Sequence, residues 1–287
     1  MGLTVSSVPG VLAKIRTARD VALGTYFLRD GAVSDALLAA AKRGAHVRVS
    51  AQADPYGGAA GDPRAGDTAR IAGELRDAGA AVTLFPREAR GFHLKAAVCD
   101  GVAYLDERNW TGGGKDVVVA DDDPRDAALV RDGLDGRGGD DGTLATRKDA
   151  ALRKEAALLD GAPHAPALVE TEYVGAGPLT RALREHAAAG GPTTLIVAEG
   201  AHSRPERKAI ASLRRDGVRV LTHGAGVKLA LVGDAAWIGS ANGTSTFYTG
   251  KDGVRHTTGD QVDWGLVTQE PQLVDAVRAA LTRDAAA

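Results

Sequence analysis

The chain has 287 residues, 44% hydrophobic and only 4% aromatic, enough to bury one large core or two ordinary ones. Its 35 basic and 37 acidic residues leave a formal net charge of −2, without the basic excess used in sequence-independent nucleic-acid binding, and few aromatic rings are present to stack single strands. No apolar run approaches the roughly 20 residues of a membrane helix, and the single cysteine, Cys99, excludes an intrachain disulfide and a cysteine-rich zinc site.

No charged head followed by an apolar stretch opens the sequence, so a cytoplasmic location is expected. The first apolar run is "VALGTYFL" (21–28), followed by a helical pattern in "AVSDALLAAAKRG" (32–44). A strand in "HVRVSAQ" (46–52), a helix near 66–78 and a strand in "AAVTLF" (80–85) come next. Apolar residues recurring at three and four mark the helices, and short β-branched runs mark the strands. A hairpin pattern fills 91–110, and "DVVVADDDP" (116–124) gives a short strand with a helix after its proline. The Gly- and Asp-rich "DGLDGRGGDDG" (132–142) is expected to be a linker. It leads into "TRKDAALRKEAALLDG" (146–161), expected to be a connecting helix with one packed face.

The same order then repeats. A run at 167–174, a helix at 178–190, a strand at 193–199, a helix at 207–217 and a strand at 218–221 lead to a second hairpin at 226–242. An insertion, 243–262, precedes "DWGLVTQEP" (263–271), which has the same eight-residue spacing from aspartate to proline as 116–124. Two repeats, 1–131 and 166–287, are therefore expected around a linker and connecting helix at 132–165. Alternating strands and helices imply α/β halves of βαβ type, each with a largely parallel sheet covered by helices.

The first hairpin carries the chemistry. Asp100-Gly101 reads as a two-residue turn, which pairs 99 with 102, 95 with 106 and 93 with 108. His93 and Lys95 then share a face, and the returning strand brings Asn109 within about one position of His93. An imidazole, a fixed positive charge and an amide donor suit a phosphate diester, whose non-bridging oxygens share one negative charge.

His93-x-Lys95, Asp100 and Asn109 resemble the HxKx4D motif and its following asparagine in the phospholipase D superfamily, whose members carry the motif twice. The second copy is "GVKLALVGDAAWIGSAN" (226–242). Lys228 and Asn242 stand 133 positions beyond Lys95 and Asn109, and Gly239, Ser240 and Asn242 match the GSxN tail. The resemblance implies a phospholipase D-like fold of two duplicated halves about a pseudo-two-fold axis, with the site between them. It also implies a phosphohistidine on His93, a phosphate held by Lys95, Lys228, Asn109, Asn242 and Ser240, and no metal or cofactor. Asp116 and Asp263, which open the last strand of each half, are expected to orient a histidine through its second ring nitrogen.

The second copy departs from the pattern: Gly226 stands at the histidine and Gly233 at the aspartate, with Asp234 one residue late. In the first copy "DERN" (106–109) replaces GSxN, and Asp106 lies across from Lys95, where a cross-strand ion pair is expected. The missing general acid has three candidate replacements: His223 in a glycine-rich loop, His256 in the insertion, or His93 of another subunit. The leading expectation is cleavage or phosphatidyl-type transfer of a phospholipid head group or similar small diester, by a monomer or homodimer. A degenerate protein that keeps the phosphate pocket without chemistry is the alternative. A nuclease is also carried, with nucleic acid the less favoured partner.

Overall fold

The computed structural model describes residues 2–55, 63–86, 91–111, 116–200, 202–249, 254–257 and 261–286, with 246–249 and 254–257 described by backbone alone. The first half runs β1 (Leu3–Ser6), α1 (Val8–Thr17), β2 (Asp20–Thr25), α2 (Ala32–Lys42), β3 (His46–Gln52), α3 (Pro63–Asp77) and β4 (Ala81–Phe85). It closes with β5 (Ala96–Cys99), β6 (Val102–Asp106), β7 (Val118–Asp121) and α4 (Pro124–Leu134). The second half repeats this as β8 (Leu144–Arg147), α5 (Lys148–Asp160), β9 (Ala167–Thr171), α6 (Pro178–Ala188), β10 (Thr193–Ala198), α7 (Arg204–Arg215) and β11 (Arg219–Gly224). It continues with β12 (Leu229–Val232), β13 (Ala235–Gly239), an inserted ribbon of β14 (Thr246–Thr249) and β15 (Val254–Thr257), β16 (Val262–Thr268) and α8 (Pro271–Ala286).

Each half builds a seven-stranded sheet, ordered β1-β7-β6-β5-β2-β3-β4 and β8-β16-β13-β12-β9-β10-β11. The two orders correspond strand for strand. Only β2-β3-β4 and β9-β10-β11 run parallel. The expectation of largely parallel sheets is corrected because a two-residue turn joins only antiparallel neighbours, and each hairpin adds antiparallel strands on one side.

The same correspondence extends across 132–165, between the expected repeats 1–131 and 166–287. Helix α4 continues to Leu134, so the linker's first residues are a helical last turn. Residues 144–147 form an edge strand against β16, as β1 does against β7. Helix α5 is therefore the second copy of α1 and part of the repeat. Local signals for α1 are present: the Ser7 hydroxyl accepts the Gly10 N–H at 3.2 Å and Pro9 sits in the first turn, a combination that starts helices. Equivalent loops use equivalent bonds, since the Thr25 and Thr171 hydroxyls each donate at 3.1 Å to the carbonyl two residues on.

A core shared by both halves lies between the sheets and includes Phe92, Leu94, Leu105, Leu134, Val227, Ile238, Trp264 and Leu281. The halves are also joined through backbone. His93 N–H donates to the Val262 carbonyl and Val262 N–H to that of Gly91, both at 2.9 Å. The Trp264 indole donates to the Asp106 carbonyl at 2.9 Å. The segment bearing His93 is thereby tied to β16 of the other half, one residue from Asp263.

Candidate active site

The hairpin forms in the expected register, with Cys99 opposite Val102 and Ala96 opposite Leu105. Asp100 and Gly101 take φ of 48° and 90°, the left-handed values that a turn joining right-twisted strands requires. Beyond the ladder, Asp106 N–H donates to the Lys95 carbonyl at 3.0 Å and Gly239 N–H to that of Lys228 at 3.1 Å. The two lysines thus occupy equivalent positions, and both are buried, at 1% and 4% exposure.

His93 sits at the junction. Its Nδ1 lies 3.1 Å from Asp263 Oδ2, and the other oxygen of Asp263 accepts the Ser240 hydroxyl. Ser240 in turn accepts the Trp264 N–H at 3.2 Å. Lys95 Nζ lies 2.7 Å from both ring nitrogens. The Tyr26 ring meets the imidazole edge-on, centroids 5.0 Å apart. Burial, with the charge of Lys95, drives His93 down to about 4 against the pull of Asp263. At neutral pH the ring is therefore uncharged, and the Asp263 contact assigns its proton to Nδ1, leaving a lone pair on Nε2. Burial pushes the Asp263 carboxyl up, but His93, Lys95 and Lys148 outweigh it and hold the group below the ordinary carboxylate range. Lys95 is pushed down to about 7, chiefly by burial, with Lys228 adding and Asp263 opposing. A buried cation so destabilised favours an anionic ligand.

The equivalent place in the second half is built differently. Lys228 Nζ lies 3.1 Å from the Gly226 carbonyl and 3.2 Å from Glu172 Oε2. The strand registers pair Gly24 with Ala96 and Glu170 with Leu229, so Glu172 occupies the position that Tyr26 holds in the first half. Burial raises the Glu172 carboxyl, but Lys228 and His93 outweigh it and keep the group below its ordinary range. Gly226 has φ of 78°, and a Cβ there would lie 3.3 Å from Ala198 Cβ and 3.6 Å from Glu172 Cγ. Ala198 and Glu172 therefore crowd the place where a side chain at 226 would begin.

Several expected residues lie elsewhere. His223 belongs to edge strand β11, where it is exposed, and not to a loop. The side chain of His256, on β15, lies outside the described residues. Asp100 is at the far end of the hairpin, where Oδ1 accepts the Arg19 and Asp20 N–H groups at 3.0 Å each. The expected Lys95–Asp106 pair does not form: Asp106 Oδ2 accepts the Trp110 N–H at 2.5 Å, closing a local turn, while Lys95 reaches His93. Asn109 Oδ1 accepts the Tyr26 N–H at 3.3 Å and borders a cavity of about 300 Å³ with Thr25, Phe27 and Trp110. Asn242 Oδ1 is buried without a hydrogen-bond partner among the described residues. Asp116 accepts from Arg108 at 3.5 Å and Thr111 at 3.3 Å.

Three site residues carried no sequence signal. Tyr26 and Glu172 follow strands β2 and β9, and only the strand register brings them to His93 and Lys228. Lys148, 3% exposed, opens α5 with its N–H on the Gln261 carbonyl at 3.1 Å. Burial pushes its ammonium down, Asp263 opposes and Lys228 adds. Among the described residues no group of three or more His, Cys, Asp or Glu side chains is arranged to hold a metal ion, and no helix is long and apolar enough to cross a membrane.

Duplicated halves meeting at two motif ends define a phospholipase D-like fold. The crystal structure of phosphatidylserine synthase from Haemophilus influenzae superposes with a TM-score of 0.65 at 12% identity, over 98% of this chain and 85% of that one. Polyphosphate kinase from Porphyromonas gingivalis superposes with a TM-score of 0.63 at 15% identity, over 98% of this chain. The present chain spans about half, 46%, of that kinase. No family model and no curated protein matches the sequence.

Proposed function

We propose that the chain is a phosphodiester hydrolase or phosphatidyl-type transferase that works through a phosphohistidine on His93. The observation carrying this reading is the contact chain Ser240–Asp263–His93, built across both halves beside Lys95. Asp263 fixes the ring and stabilises the charge it gains as Nε2 attacks phosphorus, the part an orienting carboxylate plays for a catalytic histidine. The Lys95 ammonium moves from the ring to a non-bridging oxygen, Lys228 takes the other, and Asn242 supplies an amide donor. The scheme needs no metal, and a phospholipid head group or similar small diester is the substrate class. Two enzymes with this fold are named for phosphatidylserine and polyphosphate, which supports phosphoryl or phosphatidyl chemistry.

Gly226 favours a second reading, a phosphate-binding protein without turnover. Hydrolysis of bis(p-nitrophenyl) phosphate in the presence of chelator, lost in His93→Ala, with an acid-labile adduct trapped on His93, supports the enzyme. Binding of dimethyl phosphate with neither turnover nor adduct supports the second reading and ends the first.

A further inference from the structure

Glu107 is a buried acid that the scheme above leaves unused. It is 0% exposed, and neither carboxyl oxygen has a hydrogen-bond partner among the described residues. An unpaired buried carboxyl is costly, so its place in the duplicated frame matters. Residue 107 is the first-half equivalent of Ser240, by the offset that relates Lys95 to Lys228. The registers Leu105–Val119 and Ile238–Leu266 make Asp116 the equivalent of Asp263. In the first site His93 lies between Asp263 and Lys95. A mirrored histidine at 226 would lie between Asp116 and Lys228.

Glu107 is one residue beyond the Asp106–Val118 pair, next to the end of β7 that leads from Asp116. After burial, which raises its carboxyl well above the ordinary range, Lys228, Asp106, Asp116 and Arg108 are the groups acting on it. Only the charges of Lys228 and Arg108 favour ionisation there, while Asp106 and Asp116 oppose it. The two carboxyls that feel the charge of Lys228 are thus divided: Glu172, in the ion pair, is ionised, and Glu107 keeps its proton. Neighbouring acids pushed apart in this way mark separate acid and base tasks.

We propose that Glu107 replaces the absent second histidine as the proton donor to the leaving group. The inference rests on His93 being the nucleophile. In the first step the His93 Nε2–P bond forms and the P–O bond to the leaving group breaks. The released electron pair stays on the leaving oxygen, which takes the Glu107 proton. In the second step water attacks phosphorus, the N–P pair returns to the ring, and the water proton restores Glu107. The glutamate at 107 and the glycine at 226 are then two parts of one change, in which a carboxyl from one half takes over the task of an imidazole from the other.

The test uses leaving groups. Glu107→Gln keeps shape and neutrality but has no acidic proton. Its kcat should fall by about 10²–10⁴ for diethyl phosphate read at ethanol release, or another diester with alkoxide arms only. For bis(p-nitrophenyl) phosphate, whose leaving group needs no proton, the fall should be at least tenfold smaller. Glu107→Asp should recover part of the alkyl activity, and the alkaline limb of the wild-type kcat profile, which reports the bound complex, should vanish in Glu107→Gln. An equal fall for both leaving groups, or an unchanged alkaline limb, overturns the proposal while leaving His93 in place. Wild-type labelling of His93 with no turnover of alkyl esters also overturns it alone. No label on His93 from either ester overturns both readings.

Discussion

Lys95 makes anion binding at this site a proton-linked event. Free, its ammonium is held at about 7 instead of 10.5, which corresponds to on the order of 5 kcal/mol of unfavourable protonation. A phosphodiester within hydrogen-bond reach of Nζ removes most of that penalty and restores the ordinary lysine value. At pH 8 about 0.1 of the free lysine is protonated and nearly all of the bound form, so binding takes up about 0.9 proton from solution. His93, held at about 4, stays neutral at that pH. Dimethyl phosphate is a suitable ligand because it does not itself titrate near neutrality. Calorimetry at pH 8 in buffers of different ionisation enthalpy gives the uptake directly. Affinity should also fall by up to tenfold per pH unit between 8 and 10. Lys95→Met should lower the uptake by about 0.9 and weaken binding. A wild-type uptake near zero at pH 8, with affinity flat from pH 7 to 9, would refute the assignment of Lys95 as a destabilised cation awaiting an anion.

Other changes test the rest of the site. Asp263→Asn breaks the contact that orients His93, and kcat should fall by roughly 10²–10⁴ with little change in KM; a loss under threefold in steady-state kinetics would exclude the orienting role. Gly226→His places a side chain at φ of 78° and 3.3 Å from Ala198, so it should cost about 1–3 kcal/mol by urea unfolding and restore no activity. A tenfold gain in turnover at unchanged stability would show that the space is open. Asp106 is pushed up to about 7, chiefly by burial. Its protonated form contributes stability fully present below the unfolded value near 3.8 and lost as pH rises through 7. Asp106→Asn keeps the acceptor for Trp110 and should therefore stabilise the fold at pH 8 by a few kcal/mol, about 4 at most. The gain should disappear below pH 4 in denaturant titrations across pH, and a constant difference at all pH values would contradict the burial argument.

The hairpins were legible because Asp100-Gly101 fixes a turn, the turn fixes register, and register fixes which side chains share a face. The constant spacing between Lys95 and Lys228, and between Asn109 and Asn242, gave the duplication. The correspondence of α1 with α5 was hidden because the copies begin differently, one with Ser7 and Pro9 and the other directly from strand β8. Asp106 shows the limit of register alone: a local turn to Trp110 competes with the cross-strand lysine and wins. Tyr26 and Glu172 were invisible for another reason. Each follows a parallel strand, and what it meets is decided by a neighbour some 60 residues away in sequence, His93 or Lys228.

That pair of positions also gives the site a direction. A frame with two equal ends would admit its ligand either way round, with attack from either side. Here one end presents an aromatic edge beside an imidazole, the other a carboxylate clasping an ammonium, so a bound diester has a front and a back. With His93 as the proposed nucleophile, the group destined to depart would lie toward Lys228 before anything happens at phosphorus. Exchanging its two ester arms is therefore not a neutral operation, and chemically similar arms on one phosphate should be cleaved unequally.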